Sequence, residues 1–170
     1  MKKTLILSVA LALAGLSTSA MAAEGQGFVR GAIGQTDVDV DGGGSDDDTA
    51  FSVGGGYYFN ANFGVEGSYN SLYDKDGLEL SSFGVGVVGK KNFGANNSGF
   101  FIDGRVGFER VKGEVPGASD TSNKAYYGVG AGYDFSESFG LGVNYTVHQA
   151  DFDGLSLDAD TISASAEFRF

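Results

Sequence analysis

Phe100-Phe101-Ile102-Asp103-Gly104-Arg105-Val106-Gly107-Phe108-Glu109-Arg110 reads with a period of two. Phe100, Ile102, Gly104, Val106 and Phe108 share one parity, and Asp103, Arg105, Gly107 and Glu109 share the other. Successive side chains of a strand point to opposite faces, so this stretch describes a strand with one apolar and one charged face. The apolar face suits lipid and the charged face suits a polar interior.

The same period recurs on both sides of this segment. Phe63, Val65, Gly67 and Tyr69 oppose Glu66, Ser68 and Asn70; Phe83, Val85 and Val87 oppose Ser82, Gly84 and Gly86. Tyr127, Val129, Ala131 and Tyr133 oppose Gly128, Gly130, Gly132 and Asp134, while Phe139, Leu141, Val143, Tyr145 and Val147 oppose Asn144 and Thr146. Near the C-terminus, Ile162, Ala164, Ala166, Phe168 and Phe170 oppose Thr161, Ser163, Ser165, Glu167 and Arg169. In the first strand Val29, Gly31 and Ile33 face lipid if Arg30 points inward. The second, Ala50 to Phe59, is so rich in glycine that its parity leaves the register open.

Short turns near Asn60 to Asn62, Gly94 to Ser98 and Ser136 to Ser138 alternate with longer links near 39–49, 73–78, 112–123 and 151–158. This alternation predicts eight strands. Beyond Ala23 no apolar run reaches the roughly 18 residues of a spanning helix. Backbone groups in lipid must all be satisfied, and the remaining architecture that does so is a closed barrel. The fold class is therefore all-β, a transmembrane antiparallel up-and-down β-barrel with short turns in the periplasm, both termini beside them, and longer loops outside.

Met1, Lys2 and Lys3, an apolar run from Thr4 to Leu16, and Ala20-Met21-Ala22 together predict a cleaved signal peptide over residues 1–22, with the barrel domain over 23–170. Without the leader's two lysines, nine cationic side chains stand against 22 acidic ones. That balance argues against nucleic acid as a partner. There is no cysteine, so no disulfide stabilises the exported domain.

Small side chains are expected throughout the lumen, because an eight-stranded barrel is only wide enough to be filled by side chains. A wide aqueous pore is not expected. Arg30, Glu66, Lys90, Asp103, Arg105, Glu109, Glu167 and Arg169 should share that confined space as a charge network, since buried charges are costly unless paired. Such a network either only fills and fixes the barrel or gates a narrow ion path.

The loops carry a second concentration of charge. Asp37, Asp39 and Asp41, then Gly42 and Asp48, match the spacing of a calcium loop at positions 1, 3, 5, 6 and 12. Asp48 stands where a bidentate Glu belongs, and Gly44 stands where an apolar anchor is usual. Weak calcium binding and a solvated acidic loop are the two readings, and no other cofactor is expected. Tyr57, Tyr58, Phe59, Phe63, Phe93, Phe135 and Phe139 lie beside the short turns and read as an interfacial girdle. Tyr69 and Tyr73, at the other rim, suit either a second girdle or a receptor contact. Val111 to Asn123, with the only proline at Pro116, is the expected partner-binding link.

The leader, the strand count, the stretches Val53-Gly54-Gly55-Gly56-Tyr57-Tyr58-Phe59 and Tyr126-Tyr127-Gly128-Val129-Gly130-Ala131-Gly132-Tyr133, and the ending Glu167-Phe168-Arg169-Phe170 resemble one family. It is that of the small eight-stranded outer-membrane barrels of the outer-membrane protein A and X type, which includes attachment and invasion proteins. The resemblance implies a bacterial outer-membrane location and contact with outer-membrane lipid and lipopolysaccharide. It also implies that Phe170, Phe168 and Ile162 are read by the barrel-assembly machinery. Ala164 and Ala166 depart from that pattern. No peptidoglycan-binding domain is expected after the barrel.

For function the resemblance implies membrane integrity and surface interaction or adhesion, with an extracellular or host surface partner. A narrow channel and a lipid-modifying enzyme are the alternatives. Against catalysis, the single histidine, His148, is followed by Gln149, Ala150 and Asp151, so the close His-x-Ser arrangement of lipid A deacylase barrels is missing. His148 is expected inside the barrel, near the loop end of strand seven.

Overall fold

A computed structural model describes residues 25–40, 45–75, 78–94, 97–115, 118–152 and 155–170, with the side chains of some strand residues next to the gaps left aside. The leader expected over 1–22 lies outside the described residues. Eight strands follow in chain order: β1 (Gln26–Val40), β2 (Ser45–Tyr58), β3 (Phe63–Lys75), β4 (Leu78–Asn92), β5 (Gly99–Val115), β6 (Ala118–Asp134), β7 (Phe139–Phe152) and β8 (Leu155–Arg169). Each pairs antiparallel with its neighbour, and β8 pairs with β1 to close the barrel. Closure leaves no sheet edge within the barrel wall, which is what lipid demands.

The parities read from sequence hold. Phe83, Val85, Val87, Phe100, Ile102, Val106, Val129, Val143 and Ile162 are exposed on the outer surface, with Phe108 the most exposed at 74%. Arg30 is buried inside, and the glycine-rich β2 takes its register from it: Arg30 pairs with Gly54, and Phe28 with Gly56. The alternation then places Tyr57 and Phe59 outside but Tyr58 inside, where it is 5% exposed and packs against Phe28 with tilted rings, centroids 4.8 Å apart. Tyr58 therefore does not belong to the girdle; a period of two cannot keep two consecutive tyrosines on one face. Val147 has the outer parity but is only 8% exposed. Its cross-strand partners are Tyr127 and Asp160, and the Tyr145 hydroxyl donates to Asp160 beside it at 2.9 Å.

Inward aromatics explain the lumenal glycines. A Cβ on Gly107 would stand 2.6 Å from Cε1 of Tyr126, and one on Gly86 would stand 2.5 Å from its hydroxyl. Gly56 makes the same room for Phe28, and Gly132 for Phe101. The narrow lumen is thus filled by a few large rings lying across glycine on neighbouring strands.

The four longer links are the main departure from expectation. They are largely strand: β1–β2 pairing runs to Asp39 opposite Ser45, β3–β4 to Lys75 opposite Leu78, β5–β6 to Val115 opposite Ala118, and β7–β8 to Phe152 opposite Leu155. Polar composition marked these residues as loop, yet a polar hairpin in water keeps its ladder because the backbone bonds do not depend on side-chain polarity.

Not every ladder extends so far. Pairing of β2 with β3 begins at Phe51 opposite Ser71, and pairing of β6 with β7 begins at Tyr126 opposite His148. By contrast β1–β8 continues to Val40 opposite Leu157, and β4–β5 to Glu79 opposite Glu114. Above the closed wall the barrel therefore divides into two four-stranded sheets, β7-β8-β1-β2 and β3-β4-β5-β6. An irregularity between Ser71 and Tyr73 in β3 lies at one division, and Leu72, 1% exposed, keeps the inner parity of Glu66 and Asn70.

Candidate functional site

The lumen holds the charges that sequence parity placed there. Glu167 of β8 is central: Arg30 donates to its Oε2 through Nε at 3.1 Å and Nη2 at 2.5 Å, and Lys90 Nζ donates to its Oε1 at 3.1 Å. Arg30 also reaches Glu66 at 3.2 Å, and Lys90 reaches Asp134 at 3.0 Å. Arg169 completes the lattice with two bonds to Asp134, at 2.7 and 3.1 Å. All of these residues are buried. The Tyr58 hydroxyl donates to Glu167 at 3.3 Å, and Asn92 donates to Asp134 at 2.7 Å. Lys90 further lies 3.9 Å from the Phe101 ring centroid, a cation–π contact that suits a desolvated ammonium.

Of the residues expected in the network, Arg30, Glu66, Lys90, Glu167 and Arg169 form the lattice itself. Asp103 and Arg105 make a pair of their own at 3.5 Å, and Arg105 also donates to Asn144 at 2.8 Å. Glu109 stands apart on the hairpin side, where both of its oxygens face His148 Nδ1 at 2.9 and 3.0 Å. Tyr126 bridges the two levels: its ring stacks on His148 at 6.3 Å, and its hydroxyl donates to Glu66 at 3.0 Å.

Asp134 is the member that sequence reasoning left out of the network, although its inner parity after Tyr133 was visible. It is wholly buried and receives two cations and an amide. Counting it, four permanent cations face five carboxylates, with His148 opposite the fifth. Near-neutrality is what a confined low-dielectric space requires.

Arg30, Glu66, Arg105, Tyr126, Thr146 and His148 border a cavity of about 50 Å³. Small-molecule sites are several times larger, on the order of 300 Å³ or more. Toward the hairpins, Leu72, Leu80 and Val111 turn inward and are buried, and Thr36 and Thr161 join by their hydroxyls at 2.7 Å. The lumen is thus filled at both levels.

The expected calcium acids are not gathered into a loop. Asp37 sits opposite Asp47, Asp39 opposite Ser45, and Asp48 opposite Thr36. An extended ladder puts Asp37 and Asp48 at positions of opposite parity, hence on opposite faces. Asp41 lies outside the described residues. Among the described residues no three His, Asp or Glu side chains converge as a metal site. Ile162 of β8 and Phe170 just past its end are exposed on the outer face, and Phe168 stacks on Phe170 at 6.4 Å.

Comparison with known proteins agrees with this architecture. The outer membrane protein beta-barrel domain matches residues 8–170. Ail, the attachment invasion locus protein of Yersinia pestis, is similar at 19% identity and a TM-score of 0.64, over 86% of this chain and 99% of that one. Neisserial surface protein A follows at 16% identity and 0.63, over 85% and 97%. The N-terminal barrel domain of Pseudomonas aeruginosa OprF gives 13% identity and 0.56, over 87% and 99%. No curated protein matches. At these identities the structures speak for the fold, while the domain match spans nearly the whole sequence. The chain belongs to the outer-membrane β-barrel family, and its fold is that of a small eight-stranded barrel.

Proposed function

We propose that this chain is an integral outer-membrane surface protein whose barrel supports membrane integrity and whose hairpins engage a partner outside the cell. The observation that carries this reading is the division of labour along the strands. A closed, lipid-facing wall with a filled lumen continues into long polar hairpins at one end only. In outer-membrane barrels the long connections face outward and the short turns face the periplasm, which puts both termini in the periplasm. The apolar outer surface contacts outer-membrane lipid and lipopolysaccharide. The outer row Ile162, Phe168 and Phe170 offers the assembly machinery its signal.

Ail has been solved with the heparin analogue sucrose octasulfate. The hairpin stretches 36–49 and 149–160 of this chain carry ten aspartates and no lysine or arginine, so charge opposes a polyanionic partner there. Enzymatic activity is not part of this reading: His148 is engaged by Glu109 and Tyr126, and no serine is among these partners. A gated ion path is disfavoured because the lattice and the inward Leu72, Leu80 and Val111 occupy the lumen. Reproducible conductance of the purified protein in planar bilayers would revive it.

The test is the adherence and serum survival of cells lacking the protein, restored with the full chain or with one whose four hairpins are trimmed. Recovery by the full chain alone supports a role for the hairpins. If both chains restore membrane resistance and neither alters adherence, the barrel itself is the function.

A further inference from the structure

Among the described residues, Lys91 is the one outward-facing cation at the short-turn end of the wall. Arg30, Lys90, Arg105 and Arg169 belong to the lumen, while Lys75, Arg110, Lys112 and Lys124 lie toward the hairpins. Lys91 is exposed and pairs across β4 and β5 with Ile102, which is exposed beside it. Two residues nearer the turn, Phe93 meets Phe100 with ring centroids 5.9 Å apart. Lys91 is thus rooted on the lipid side of the aromatic girdle, and no carboxylate among the described residues pairs with it. A charge on the lipid face is unfavourable unless its long side chain reaches the headgroup level or meets an opposite charge there.

Beside Lys91 the wall is hollowed. Gly89 and Gly104 stand directly opposite each other between Phe63 and Val129, one outward row away from Lys91 and Ile102. A methyl on Gly104 would meet nothing closer than a carbonyl oxygen at 3.9 Å, and one on Gly89 would only touch the Phe63 ring at 3.6 Å. Phe63, Gly89, Lys91, Ile102 and Gly104 thereby border a groove of about 390 Å³. That volume lies within the range of small-ligand sites, unlike the lumenal cavity. We propose that this groove seats one anionic glycerophospholipid of the leaflet beside the short turns, with an acyl chain over Gly89 and Gly104 and the phosphate on Lys91. The site goes beyond the surface-interaction reading and requires only that the wall stand in lipid.

Charge selects the occupant. A second pair of outward glycines, Gly55 opposite Gly67, lies between Val29 and Val85. The rows on either side of it pair Tyr57 with Val65 and Val53 with Tyr69, so no cation stands next to it. Such a place offers a chain only contact and does not tell one headgroup from another. At Gly89 and Gly104 the contact comes with a cation, which favours a phosphodiester of net negative charge over one that a choline neutralises. A second copy of this chain fits less well, because a two-fold contact through the groove brings the Lys91 of both copies to one interface.

The experiment is native mass spectrometry of the folded mature chain, released from mixed micelles that hold equal amounts of phosphatidylglycerol and phosphatidylcholine with the same acyl chains. One phosphatidylglycerol should be retained about fivefold in preference to phosphatidylcholine, the factor that one cation near a lipid surface supplies. Lys91→Gln should abolish that preference, whereas Lys112→Gln, at the opposite rim, should leave it unchanged. Gly104→Leu fills the groove and should weaken both lipids at least fivefold, while Gly67→Leu at the other glycine pair should change neither. In NMR spectra of the unsubstituted chain, phosphatidylglycerol with a nitroxide on its acyl chain should broaden the amides of Gly89 and Gly104 before those of Gly55 and Gly67.

Equal retention of the two lipids, or a preference that survives Lys91→Gln, overturns the proposal. Broadening that begins at Gly55 and Gly67, or a dimer that carries no lipid, overturns it too.

Discussion

Arg30 and Glu167 stand directly opposite each other across the seam where the first strand meets the last, joined by two hydrogen bonds to one carboxylate oxygen. The contact spans nearly the entire chain, so it forms only when the barrel closes. It couples the lumenal lattice to closure itself.

Glu167→Gln should therefore be among the most damaging lumenal changes. It removes the charge that balances Arg30 and Lys90 in a dry space, and breaking a buried pair costs about 3–5 kcal/mol. Urea unfolding of the refolded variant in micelles, followed by circular dichroism, should show a loss of that size. A loss below about 1 kcal/mol, the range of exposed pairs, would mean that the lattice is well solvated.

Glu109 and His148 allow a sharper measurement because they form a separate pair. His148→Leu leaves a buried carboxylate without its partner and should cost about 2–3 kcal/mol, while Glu109→Gln in the same chain should recover part of that loss. A double-mutant cycle on unfolding free energies reads the coupling directly. Strict additivity would show that the 2.9 Å contact contributes nothing.

Glycines at two kinds of position should respond oppositely. Gly107→Ala forces a methyl against the Val85 carbonyl oxygen on the neighbouring strand and against the Tyr126 ring, and should destabilise by about 1–3 kcal/mol. Gly31 faces outward, with nothing within 4 Å of the place a methyl would occupy, and Ala there should be neutral or slightly stabilising. Thermal unfolding of the two variants side by side tests the pair.

On the lipid face, Val129 lies between Tyr127 and Tyr133, which face outward toward the two rims. Val129→Arg should cost about 2–4 kcal/mol in a bilayer, as expected for a cation near the midplane. The same substitution at Thr49, on a hairpin, should stay within about 0.5 kcal/mol. Refolding into lipid vesicles at graded urea would separate the two.

Much of this molecule is legible from its sequence because lipid outside and a narrow lumen inside impose a strict period of two. Phe100 to Arg110 contains that rule, and the other strands repeat it, so strand number, faces and most lumenal charges follow from local alternation. Sequence alternation also names who is inside but not who meets whom. Lumenal partners come from strands far apart in the chain, as Lys90 and Asp134 do, and their pairing is set by register and barrel closure.

Register also decided what composition concealed. The inward Tyr58, the covered Val147, the Asp37 and Asp48 on opposite faces, and the parting of the hairpins into two sheets all depend on which residues lie opposite one another. A polar stretch such as Ser45 to Ala50 can be loop or strand by composition. Only the neighbouring strand β1, by supplying hydrogen-bond partners from Gly34 to Asp39, makes it strand.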